Sequence, residues 1–113
     1  MNKILVILKN GLKGCCVNYT ASQLMMFTKD WFNPKLGINF KIIDIAEDEW
    51  IADNLANFAY RHLKSKVFPL IYLNDKLIDF GKFPEASECK KYINKPEYLD
   101  EESIMMKIKE IKE

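Results

Sequence analysis

Histidine, cysteine, glycine and proline are all scarce in this chain, and each scarcity closes off a class of function. The one histidine, His62, has no candidate partner in the sequence, so it reads as structural rather than as a catalytic base or metal ligand. Three cysteines are an odd number, which argues against a secreted disulfide framework and for reduced thiols. Four glycines and four prolines leave no low-complexity stretch, and no internal repeat is present. Neither sign of charge dominates. Seventeen lysines and arginines face sixteen acids, for a net charge of +1, so nothing steers the chain to nucleic acid or an anionic membrane. No apolar stretch reaches membrane-spanning length. Trp31, Trp50 and the phenylalanines lack the interleaved basic residues of a nucleic-acid surface, and they read as core.

What remains is ordinary globular composition. Of 113 residues, 49% are apolar and 29% charged, enough for one domain to bury a core without staples. The first three residues run straight into a five-residue apolar segment, too short for a signal peptide, so a cytoplasmic chain is expected.

That segment, residues 4–8, reads as a strand buried on both faces. The loop Gly11-Leu12-Lys13-Gly14 follows. It lacks the Gly-Lys-Ser/Thr ending of a phosphate loop, and its glycines would let the backbone approach a ligand closely. From Val17 the apolar residues Ala21, Leu24, Met25, Trp31 and Phe32 recur at helical spacing until Asn33-Pro34 and Gly37 stop them. Residues 40–45 read as a second strand. An acidic start, Glu47-Asp48-Glu49, then opens a helix striped by Trp50, Ile51, Leu55, Phe58, Ala59 and Leu63 and closed by Arg61, Lys64 and Lys66, in keeping with the helix dipole. Residues 70–73 and 76–80 read as a hairpin turned at Asn74-Asp75. A third helix would start at Pro84-Glu85 with Ala86, Cys89 and Ile93 inward. Asp100 would cap a last amphipathic helix with Ile104, Met105, Ile108 and Ile111 on one side.

Strands separated by helices predict parallel pairing with right-handed crossovers, and the closing hairpin adds an antiparallel strand. The order β-α-β-α-β-β-α with a further helix gives an α/β, thioredoxin-like fold. It is a mixed four-stranded sheet with helices on both faces, spanning residues 1–95, and residues 96–113 form an extra helix packed on or extending it.

The residues that could carry chemistry are Cys15 and Cys16, placed by this reading where the first strand hands over to the first helix. Free N–H groups and the positive dipole end at a helix start favour a thiolate, and Lys9 and Lys13 would add to that. Adjacent Cα atoms lie about 3.8 Å apart, short of the roughly 4.4–6.8 Å that a relaxed disulfide spans, so a Cys15–Cys16 bridge would be strained and easily reduced. Two routes follow. One cysteine acts alone through a mixed disulfide with a thiol-containing protein or small thiol, or both thiolates clasp a soft ion such as copper(I), zinc or trivalent arsenic. The bland alternative is two small buried hydrophobes. Cys89, on the inward stripe, reads as core. The paired methionines, Met25-Met26 and Met105-Met106, suit helical core faces better than a copper-binding cluster. A proline, Pro69, leads the third strand.

With these segments aligned, the chain resembles the small YuzD-like family of thioredoxin-fold proteins, to which disulfide oxidoreductase activity is ascribed. The matching residues are Cys16-Val17-Asn18 with Ala21-Ser22, Ile43-Asp44-Ile45, and Phe68-Pro69-Leu70-Ile71 with Asn74-Asp75 and Gly81. The family's Cys-x-x-Cys has its second cysteine at Cys16, while its first falls on Lys13. More loosely the chain is similar to arsenical metallochaperones of the same fold, through Cys15, Cys16, Pro69, Gly81 and Pro84, although their third cysteine would be Ala21 here. The resemblance implies a cis-proline at Pro69 lying beside the thiols. It implies a thiol-redox protein acting through Cys15 or Cys16 beside Pro69; from its charge Lys13 is expected to assist electrostatically, and no cofactor is expected. The alternatives are a soft-metal or metalloid carrier using Cys15 and Cys16, and a non-catalytic interaction scaffold whose last helix docks a partner or makes a homodimer.

Overall fold

The apolar run after Asn2 becomes the central strand of the sheet. The computed structural model describes residues 2–13, 18–28 and 38–112, apart from the side chains at 13, 38, 65, 111 and 112. In chain order the elements are β1 (Asn2–Leu8), β2 (Leu12–Lys13), β3 (Asn18–Tyr19), α1 (Ala21–Thr28), β4 (Ile38–Asp44), α2 (Asn54–Leu63), a 3-10 turn (Lys64–Val67), β5 (Leu70–Leu73), β6 (Lys76–Phe80), α3 (Ala86–Asn94) and α4 (Glu101–Lys112). The main sheet has the order β4-β1-β5-β6, and β2 and β3 form a separate two-stranded ribbon.

Val6 opposes Ile42 in the parallel β1–β4 pair and Ile71 in the antiparallel β1–β5 pair. Because strand side chains alternate between faces, β1 feeds two cores. Ile4, Val6 and Leu8 join Ile71, Leu73 and Ile78 under α1 and α3, with Cys89 fully buried among them. Ile7 joins Leu70, Tyr72, Leu77 and Phe80 under Ala56, Ala59 and Leu63 of α2 and Ile104 and Ile108 of α4. The result is a mixed α/β architecture with two helices on each face.

The hairpin forms where the sequence predicts it. Asn74 and Asp75 both take positive φ, 50° and 71°, the conformation a two-residue turn needs to match strand twist. An extra residue at Ile78 breaks the β5–β6 register between Ile71 and Tyr72. α4 begins at Asp100, whose carboxylate accepts from the Ser103 N–H at 2.8 Å. Ile104 and Ile108 of its apolar stripe are buried against α2 and the sheet.

Four expectations change. The first helix starts at Ala21 rather than near Val17, because Thr20 and Gln23 form a reciprocal cap: Gln23 N–H donates to Thr20 Oγ1 at 3.1 Å, and Thr20 N–H to Gln23 Oε1 at 2.9 Å. Asn18 and Tyr19 are therefore strand, and the ribbon they make with β2 was unforeseen. The expected stop at Asn33-Pro34 and Gly37 lies outside the described residues.

The second helix starts at Asn54, capped by Asp53, so Glu47-Asp48-Glu49 sits in irregular chain before it, and Ile51 is 92% exposed. β5 runs antiparallel to β1, not parallel. The chain leaves β4 at the end of the sheet where β1 also ends. Residues 45–53 carry it back, with Asp53 accepting from the Tyr72 hydroxyl at 2.7 Å, and α2 brings it forward again. β5 thus enters at the carboxyl end of β1, with Leu70 opposite Ile7. Finally, Met26 and Met106 point outward, 67% and 63% exposed, rather than into the core.

Candidate functional site

At the end of β1 the chain must turn sharply out of the sheet. Asn10 and Gly11 do this with φ of 58° and 79°. Their N–H groups converge on one buried acceptor, Asp44 at the end of β4. Asn10 N lies 3.0 Å from Oδ1, and Gly11 N 2.6 Å from Oδ2. Ala46 N–H, 2.9 Å from Oδ1, completes the set. Burial pushes the Asp44 carboxyl upward, but the donors at Ala46, Gly11 and Asn10 outweigh it and hold its pKa below the usual 3.8. The sequence shows a carboxylate at the end of this strand but carries no local sign of the loop that it holds.

Beyond the clamp, Leu12 pairs with Tyr19 and Lys13 with Asn18. Residues 14–17, which join these two strands, carry Cys15 and Cys16. Both cysteines lie outside the described residues, as does the Lys13 side chain. The helix start invoked to ionise them is at Ala21, where the cap at Thr20 already occupies an N–H group of the first turn. The close backbone approach permitted by Gly11 is also used within the fold, because a β-carbon there would meet the Tyr19 carbonyl oxygen at 2.6 Å.

Across from this loop stands Pro69. The Phe68–Pro69 peptide bond is cis. The segment is tied to the far end of the hairpin by Gly81, whose N–H is donated to the carbonyls of Val67 at 3.0 Å and Pro69 at 2.9 Å. Between the two walls lies a cleft of about 380 Å³, bounded by Leu8, Lys9, Gly11 and Leu12 on one side and Lys66, Phe68 and Pro69 on the other, with Gly81 and Lys82 at its end. Its charge is of one sign. Lys82 pairs with Glu88 at 3.3 Å, while Lys9 and Lys66 have no ion-pair partner among the described residues. Such a cleft favours anions, a thiolate included.

Cys89 is buried at 0% exposure, and burial, helped by the Glu88 charge, pushes its thiol up to about 12. It is a packing residue. His62 stacks edge-on against Phe58 at 5.1 Å on the exposed side of α2, away from the cleft. Among the described residues no three His, Cys, Asp or Glu side chains gather as metal ligands, and no helix is long and apolar enough to cross a membrane.

No known family profile matches the chain, and no curated protein matches it. Among solved structures, the crystal structure of a protein of unknown function from Staphylococcus aureus, SA0789, is similar. It superposes with a TM-score of 0.51 at 20% identity, over 82% of this chain and 88% of that one. A likeness at that identity bears on the fold alone.

Proposed function

We propose that this mixed α/β chain is a thioredoxin-like protein of thiol–disulfide exchange, acting through Cys15 or Cys16. The observation that carries the reading is the cleft. The loop leading into the cysteine pair forms one wall, Pro69 the other, and lysines surround it. The sheet supports it too: a parallel β1–β4 pair, then β5 and β6 in alternating direction, with two helices per face, suits a thioredoxin-like arrangement.

In the proposed step a cysteine thiolate attacks one sulfur of a partner disulfide. A mixed disulfide forms and the partner's other sulfur leaves as a thiolate. A second, small thiol then attacks the mixed disulfide, releasing the cysteine. Adjacent cysteines suit this one-thiol route because they cannot close a relaxed bridge between themselves. Lys9 and Lys66, with Lys13 next to the pair, would stabilise the thiolate in place of a helix dipole.

The test is the pH dependence of alkylation in Cys15→Ser and Cys16→Ser. At least one remaining thiol is expected to titrate below the unperturbed value of about 8.5, and to lose that depression when Lys9 and Lys66 are both changed to Gln. If both thiols titrate at or above that value, the exchange reading fails.

A further inference from the structure

Phe68 also edges a second cavity, on the α2 side. It is about 220 Å³ in volume and is walled by the rings of Trp50, Tyr60 and Phe68. Its base is aliphatic, from Ala56, Val67 and Leu70, each no more than 1% exposed. The rings are held by their neighbours: Trp50 meets Tyr72 edge-on at 6.1 Å, and Tyr60 meets Phe68 at 6.3 Å. Among the described residues one charged side chain borders the cavity, Lys9, whose ammonium stands 5.8 Å from the Tyr60 ring centroid. The acidic run Glu47-Asp48-Glu49 borders an adjoining depression on the other side of Trp50.

We propose that this cavity binds a small aromatic carboxylate, its ring among Trp50, Tyr60 and Phe68 and its carboxylate against Lys9. The size fits: a dry cavity of about 150 Å³ takes up a benzene ring, and the larger volume here leaves room for a short acid arm. Preformed, mostly apolar pockets with one or two placed polar groups are the usual form of small-ligand sites. Aromatic walls accept a ring edge-on or offset. The charge at the mouth selects the sign. Lys9 has no carboxylate partner among the described residues, and the Lys64 ammonium also stands 5.8 Å from the Tyr60 ring centroid, so a cationic ligand is repelled and a neutral one leaves Lys9 unanswered. The cavity shares Lys9 and Phe68 with the cleft beside Pro69, but ligand binding in it does not require the thiol chemistry.

The experiment titrates the full-length protein with phenylacetate, phenylacetamide and phenethylammonium, followed by amide proton–nitrogen NMR shifts at Ala56, Tyr60 and Phe68. Phenylacetate is expected to bind about tenfold more tightly than its neutral amide, the worth of one charge-assisted contact, and the ammonium more weakly than either. Lys9→Gln, titrated against its own ligand-free spectrum, should bring phenylacetate down to the level of phenylacetamide. Ala52 also lines the cavity, and Ala52→Phe, which puts a ring into that space, should abolish both. Equal binding of the three probes, phenylacetate binding unchanged in Lys9→Gln, shifts confined to other residues, or no saturation at millimolar phenylacetate would each overturn the proposal.

Discussion

A β-carbon added at Gly11 would stand 2.6 Å from the Tyr19 carbonyl oxygen, at a φ of +79° that other residues resist. Neither problem can be relieved by a flexible neighbour, because the obstacle is backbone. Gly11→Ala should therefore cost at least about 1–2 kcal/mol, read from urea unfolding, and a loss under a few tenths would mean the ribbon can shift aside. Asp44 is the other residue on which the turn hangs. Asp44→Asn keeps the shape but replaces one acceptor oxygen with a donor facing N–H groups, and should cost about 2–3 kcal/mol at neutral pH. The sign with pH follows from its depressed pKa. The folded state holds the proton less tightly than the unfolded chain, so the Asp44 contribution is full above the unfolded carboxyl range near pH 4. It fades as pH falls through the lower folded value. Stability measured from pH 6 down to pH 2 should fall more steeply in the native protein than in Asp44→Asn. Parallel curves would show that Asp44 does not carry this linkage.

Each element is held by a few replaceable contacts. Thr20→Ala removes the hydroxyl half of the α1 cap and should cost about 1 kcal/mol, whereas Thr20→Ser should be nearly silent. If the two lose equally, the cap is not what starts α1. Ile104, at 0% exposure, ties α4 to α2 and the sheet. Ile104→Ala should cost about 2–5 kcal/mol, measured by chemical denaturation, and a loss below 1 kcal/mol would mean that α4 is only loosely attached.

The elements that could be read from sequence are those whose signals are local. The hairpin announces itself through Asn74-Asp75 between apolar runs, and α4 through Asp100 and a clean 3.6-residue stripe. α1 was misread because Val17 happens to continue its stripe, while the deciding signal was the polar pair Thr20 and Gln23. α2 was misread because acids at positions 47–49 imitate a helix start that Asp53 supplies. The turn clamp at Asp44 and the cavity behind Phe68 were not legible at all. Asp44 lies more than thirty residues from the loop that it holds, and Lys9, Trp50, Tyr60 and Phe68 meet only once α2 has returned over the sheet.

At the scale of the molecule, the two cores are not independent. β1 and β5 contribute alternate side chains to both, so neither helix layer can be lost without stripping one face of the strands that order the other. Unfolding should therefore be a single step. Far-ultraviolet circular dichroism and tryptophan fluorescence should give coincident denaturation curves, and two separated midpoints would mean that the layers melt separately.

β6 is an outer strand of the sheet, and outer strands present unpaired backbone that invites other chains. The stretch before α4 lies against it, Leu99 N–H donating to the Leu77 carbonyl at 3.1 Å, while Lys107 from α4 pairs with Asp79 of the same strand. The tail thus covers part of that edge, and a chain ended at Lys95 would uncover both the strand and the α4 side of the core.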